Sequence, residues 1–149
     1  MKAKAYLNQV QKLNKMIQNK IIEKEQWQQM AASIGASPDG EKVQASGKPQ
    51  KMADAVCRYI ELEKQIDNDI DRLIAIKKDV IATIECLNAY EYDVLHIVYI
   101  QGKTLHDVAD YYGRSYSWIL SIHRAALKHV QDILDAEQRQ RIENMCKSV

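Results

Sequence analysis

Between Lys103 and Lys128 the chain gathers four cations, Lys103, Arg114, Arg124 and Lys128, and four aliphatic hydroxyls, Thr104, Ser115, Ser117 and Ser121. Tyr116 and Leu120 lie among them. Ammonium and guanidinium groups neutralise phosphates, hydroxyls bond phosphate oxygens or base edges, and an outward Leu can meet a thymine methyl. This is the chemistry of recognition, not of bond making. The sequence has no glycine-rich phosphate loop and no spacing that pairs a nucleophile with a base. His96, His106, His123 and His129 form no HExxH-type pair, and Cys57, Cys86 and Cys146 are dispersed without a CxxC. The carboxylates Glu61, Glu63, Asp67, Asp69 and Asp71 fall at mixed helical phase and read as a solvated face. The expectation is a protein without catalytic residues, cofactor or metal.

The elements that position these groups follow from periodicity. Val94 to Val130 holds two helical patterns that meet at Gly113, the layout of a helix-turn-helix. A first short helix covers 91–101, with Val94, Leu95, Val98 and Tyr99 inward and Gly102 at its end. Thr104 with Asp107 three residues on forms a capping box that starts a second helix, with Leu105, Val108, Ala109 and Tyr112 inward. Ser115 caps the third, whose buried side is Ile119, Ile122, Ala126, Leu127 and Val130.

Upstream, residues 3–31 carry Leu7, Val10, Leu13, Ile17, Ile21 and Trp27 near one helical stripe. Of 5 Gly and 2 Pro, both prolines and three of the glycines fall between Ser33 and Gln50, which reads as a loop. From Met52 a helix resumes with Tyr59, Ile66, Leu73, Val80 and Leu87 seven apart, and a second row Val56, Ile70 and Ile84 interrupted by Glu63 and Lys77. Cys57 and Cys86 fall in this pattern and read as small core residues. The stripe fits a pairing with residues 3–31 and a homodimer seam equally well. The fold class is therefore all-α: a long helical hairpin or coiled coil over 1–88 with a loop at 33–50, a helix-turn-helix domain over 89–135, and a helical tail over 136–149.

The order of residues in the third piece resembles region 4 of bacterial sigma factors. The matching positions are Val94-Leu95, Tyr99, Gly102, Thr104, Val108-Ala109, Gly113, Ser115, Ile119 and Ala126-Leu127-Lys128. The whole chain is similar to phage and prophage regulators of the RinA and ArpU type, with Val43-Gln44-Ala45-Ser46 and the long helix after it adding to the likeness. The resemblance implies a transcriptional regulator of phage genes that binds double-stranded DNA and acts with host RNA polymerase, in the cytoplasm of a bacterial cell, at its nucleoid. On the matched positions, the outward set is Tyr116, Ser117, Leu120, Ser121 and Arg124. Arg114, Arg124 and Lys128 are the expected phosphate clamps, with Lys103 and Thr104 behind them. Two rival readings are an RNA polymerase-binding factor without autonomous DNA reading, and a small terminase subunit.

Charge qualifies this picture. The net charge is +1, but residues 1–30 hold six Lys and two Glu, whereas residues 89–135 hold four basic and six acidic groups. Phosphate neutralisation supplies most non-specific affinity. Useful affinity is therefore expected to need two copies, RNA polymerase, or the basic N-terminal helix near the DNA. Histidine protonation near pH 6 is expected to add charge to the DNA face. No apolar run approaches the ~18 residues of a membrane helix, so no membrane partner is expected.

Overall fold

A computed structural model describes residues 1–35 and 47–149. Among them every regular element is helical: α1 Ala3–Gly35, α2 Lys48–Ile84, α3 Ala89–Leu95, α4 Leu105–Tyr112 and α5 Tyr116–Lys147. A π-helical turn, His96–Ile100, continues α3. The all-α expectation holds. Both long helices run into the segment read as a loop, α1 through Gly35 and α2 from Lys48. Pro49 does not prevent this, because the first turn of a helix needs no amide donor there. Residues 36–46, including Val43-Gln44-Ala45-Ser46, lie outside the described residues.

The buried positions of α2 correct its sequence pattern. Ile66 and Val80 of the predicted heptad row are buried, but the second row is Ala55, Leu62, Asp69, half-buried Ile76 and Thr83. It runs one residue ahead of the row Val56, Ile70 and Ile84. Ile84 is buried, while Ile70 is exposed and Val56 half-buried. The shifted register explains why Glu63 and Lys77 seemed to interrupt the pattern: neither belongs to the seam. The true seam looked polar because it contains Asp69 and Thr83. Cys57 and Cys86 are exposed, not core. Cys57 falls between seam positions, and Cys86 follows the end of α2, which stops at Ile84, before Leu87.

The described residues form two compact units. One is Leu13–Leu73 and the other joins Met1–Lys12 to Ile74–Val149. In the first, α1 and α2 are antiparallel, tied by Lys20 Nζ to Asp69 Oδ2 at 2.6 Å, Lys24 to Glu63 at 3.7 Å, and Arg58 to Glu23 at 3.1 Å. Asp69 is buried, and Lys20 is its nearer counter-charge, with the exposed Arg72 guanidinium 3.8 Å from its other oxygen.

In the second unit, Val94, Ile97, Val108, Ala109 and Ile119 form the buried centre of a three-helix core made by α3, α4 and α5. Val98, Leu105, Tyr112, Trp118 and Ile122 pack against it. Each fully buried aliphatic side chain contributes about 1.5–3 kcal/mol of transfer free energy. The start of α1 belongs to this unit: Leu7 and Val10 are buried, the Ala3 amide donates to Gln131 Oε1, and the Tyr6 hydroxyl bonds Asp79 and Thr83. Gln11 Nε2 donates to the carbonyls of Tyr99 and Ile100 at 3.1 and 3.0 Å. These are among the carbonyls a helix leaves unpaired at its C-terminus.

Two left-handed glycines set the helix ends. Gly102 has φ 75 and Gly113 φ 61. A Cβ on Gly113 would meet nothing within 4 Å, but one on Gly102 would sit 2.9 Å from Gln11 Oε1. Gly113→Ala is expected to cost about 1 kcal/mol of backbone strain. Gly102→Ala should cost more, because it also displaces the Gln11 cap. Equal losses in a denaturant titration would contradict this ranking. Lys20→Met should destabilise by about 3 kcal/mol, and a second change, Asp69→Leu, should recover much of the loss. A double variant no more stable than Lys20→Met would refute the buried-charge account.

Candidate nucleic-acid interface

The local chemistry at the start of α4 and α5 matches the sequence. Thr104 Oγ1 accepts from the Asp107 amide at 3.1 Å, and Asp107 Oδ2 accepts from the Thr104 amide at 2.9 Å, a complete capping box. These bonds hold the Asp107 carboxyl below its usual range, with the Thr104 amide the larger cause. Ser115 Oγ accepts from the Trp118 amide at 3.2 Å. Both capping hydroxyls act as acceptors here and keep their own protons to donate outward. Between the helices, Arg114 closes the turn by donating its amide to the Ala109 carbonyl at 3.1 Å.

Of the ten expected contact residues, nine are exposed: Lys103, Thr104, Arg114, Ser115, Tyr116, Ser117, Ser121, Arg124 and Lys128. Leu120 is half-buried. Ser117, Ser121, Arg124 and Lys128 fall at successive turns of α5 and so share one exposed stripe. Ser121 donates its hydroxyl to the Trp118 carbonyl at 2.6 Å, so outward it can only accept. The Arg114 guanidinium carbon lies 5.0 Å above the Trp118 ring centre, which fixes this cation beside the turn. Lys103 lines a cavity of about 400 Å³ with Asp93 and Asp107. Two carboxylates share its surroundings there.

Four features escaped the sequence reading. His106 stacks on Tyr116 with ring centres 4.0 Å apart and an interplanar angle of 9°. Trp118 is half-buried in an edge-to-face cluster with Tyr90 and Tyr112. His129 Nδ1 meets the buried Glu91 carboxylate at 2.7 Å. Buried His123 bonds the Tyr99 hydroxyl through Nε2 at 2.8 Å. None has a local signal, since each pairs residues from different helices. They also correct the histidine expectation. Burial, and secondarily Lys4 nearby, pushes the His123 pKa below its ordinary value, and the ring is buried rather than on an outer face. Burial also raises the Tyr99 pKa, keeping that hydroxyl protonated.

Residues 83–132 match the family model for sigma-70, region 4. That span covers α3, the π-turn and α4, and about half of α5. Searches of curated proteins and of solved structures give no match. Among the described residues no helix is long and apolar enough to cross a membrane, and no cluster of three metal-ligating side chains is found.

Burial of His123 makes stability depend on pH. The folded state holds the His123 proton less tightly than the unfolded chain does, so this contribution is complete above about pH 6.5 and declines as pH falls below it. Unfolding free energy between pH 7 and 5 should therefore fall more steeply in the native protein than in His123→Gln. That variant keeps a hydrogen-bonding side chain without a titrating ring. Parallel profiles would remove His123 as a source of the dependence.

Proposed function

We propose that the protein is a sequence-specific, double-stranded DNA-binding transcriptional regulator that reads the major groove with residues about 115–130. The observation that carries this reading is the exposed stripe Ser117, Ser121, Arg124 and Lys128. It lies on a Ser115-capped helix, immediately after a glycine turn, inside the stretch similar to sigma-70 region 4. In this reading Tyr116 and Ser117 bond base edges or phosphates, Ser121 accepts from a base-edge amino group, and Leu120 meets a thymine methyl. Arg114, Arg124 and Lys128 hold phosphates, with Lys103 and the Thr104 hydroxyl behind them.

Residues 89–135 are the reading domain, residues 1–88 the helical arm, whose Met1–Lys12 and residues from Ile74 on share a compact unit with that domain, and residues 136–149 a tail that extends the reading helix. Resemblance to regulators of the RinA and ArpU type supports phage or prophage genes as the target, in the cytoplasm of a bacterial host. The excess of acidic over basic groups in residues 89–135 supports binding as two copies or together with RNA polymerase. Exposed Met16 and Ile22 on α1, and Ile70 on α2, support a homodimer through the arm. The same acidic excess favours a second reading, an RNA polymerase-binding factor that does not read DNA alone.

Selection from a random duplex library at about 50 mM salt, where phosphate contacts are strong, separates the two. The expected result is an enriched motif whose binding weakens about tenfold or more in Arg124→Ala. The motif's symmetry reports the number of copies. A folded protein that enriches nothing overturns autonomous DNA reading and leaves RNA polymerase as the partner.

A further inference from the structure

A face that contacts phosphates gains nothing from carboxylates, yet the helix-turn-helix carries several, and two of them line one cavity. Asp93 and Asp107, with Ile97, Gln101, Lys103 and Tyr111, bound a space of about 400 Å³ beside the π-turn. Each carboxylate has one oxygen engaged: Asp93 accepts from the Tyr112 hydroxyl, and Asp107 from the Thr104 amide. The second oxygen of each has no hydrogen bond among the described residues. Asp107 is held ionised by its capping box. Lys103 brings one ammonium to the lining, which leaves one negative charge uncompensated.

Next to this cavity lies an unusual amount of wet aromatic surface. Tyr111 is 71% exposed and Tyr90 is 52% exposed. Tyr111 stands edge-on to Tyr112 at 5.1 Å, and Tyr112 continues to Tyr90 and Trp118 at 5.8 and 6.1 Å. Tyr111 lines the cavity with most of its surface exposed. A cavity with an aliphatic wall at Ile97, two carboxylates and an aromatic ring at its rim matches the parts of one side chain. An arginine has an apolar stem, a planar fork that bonds carboxylates, and a face that stacks on aromatic rings. Lysine offers the charge but neither the fork nor the plane.

We propose that this surface docks a partner protein through an exposed arginine, whose guanidinium enters the cavity against Asp93 and Asp107 and stacks on Tyr111. Charge complementarity selects a basic protein segment and disfavours nucleic acid, whose phosphates would face two carboxylates. Tyrosine, tryptophan and arginine at one spot are also the residue types that dominate binding energy at protein interfaces. Two of the six acidic groups of residues 89–135, Asp93 and Asp107, then have a use that DNA reading does not give them. The exposed stripe of α5 takes no part in this surface, which is built by α3, the π-turn, the turn through Gln101 and Lys103, and α4; Lys103 is the one lining residue shared with the contact set proposed for DNA.

The test titrates the full-length, isotope-labelled chain with N-acetyl-arginine amide and follows backbone amides by NMR, with no DNA present. The expected result is saturable shifts confined to Asp93, Ile97, Gln101 and Tyr111 and their neighbours. The uncharged isostere N-acetyl-citrulline amide should bind about tenfold more weakly, as should Tyr111→Ala and Asp93→Asn. Tyr111 is exposed, so its replacement leaves the core untouched and the result does not depend on refolding. Equal shifts with citrulline, or arginine shifts spread along α5, overturn the proposal.

Discussion

The C-terminal end of the first short helix is the constraint around which the helix-turn-helix is built. There the backbone widens into the π-turn His96–Ile100 and stops at Gly102, with the Lys103 amide closing back to the Ile97 carbonyl at 3.1 Å. A helix end leaves carbonyls without partners, and such groups are costly when shielded from water. Gln11 supplies the partner, so the start of α1 belongs physically to the same unit as α3, α4 and α5. The widened turn brings Tyr99 to His123 while Ile97 stays in the core. Moving Gly102, Gln11 or His123 therefore disturbs one connected arrangement.

Charge is arranged in the same economical way. The domain that resembles sigma-70 region 4 is not basic overall, and its acidic groups are sorted by use. Glu91 is buried against His129, Asp107 caps α4, and Asp93 receives the Tyr112 hydroxyl. The cations Arg124 and Lys128 share an exposed helix stripe with Ser117 and Ser121. A net count over residues 89–135 averages these surfaces and so understates how positive one of them is. Electrostatic recognition depends on the local arrangement more than on the sum.

In the long arm the decisive residue is Asp69. Placing a carboxylate on the seam of α2 costs stability unless Lys20 answers it, and their 2.6 Å contact fixes which turn of α1 lies opposite which turn of α2. An all-apolar seam would tolerate sliding by a heptad; a buried ion pair does not. The cost is a register that reads poorly from the sequence, since the seam position looks like surface.

Local signals in the sequence were enough for the elements of the helix-turn-helix. Thr104 with Asp107, Ser115, Gly102 and Gly113 each act within a few residues of themselves, and all stand where periodicity and capping chemistry put them. Exposure of the α5 stripe was legible for the same reason, because helical period alone sets which side chains share a face. Relations between helices were not legible. The true second row of α2, the exposure of Cys57 and Cys86, the Gln11 cap, the Tyr99–His123 bond and the Tyr116–His106 stack each join groups far apart in the chain or depend on them. Periodicity says that a helix has an apolar side, but what lies against it, and which polar group is paid for by burial with a partner, is decided only when the helices pack.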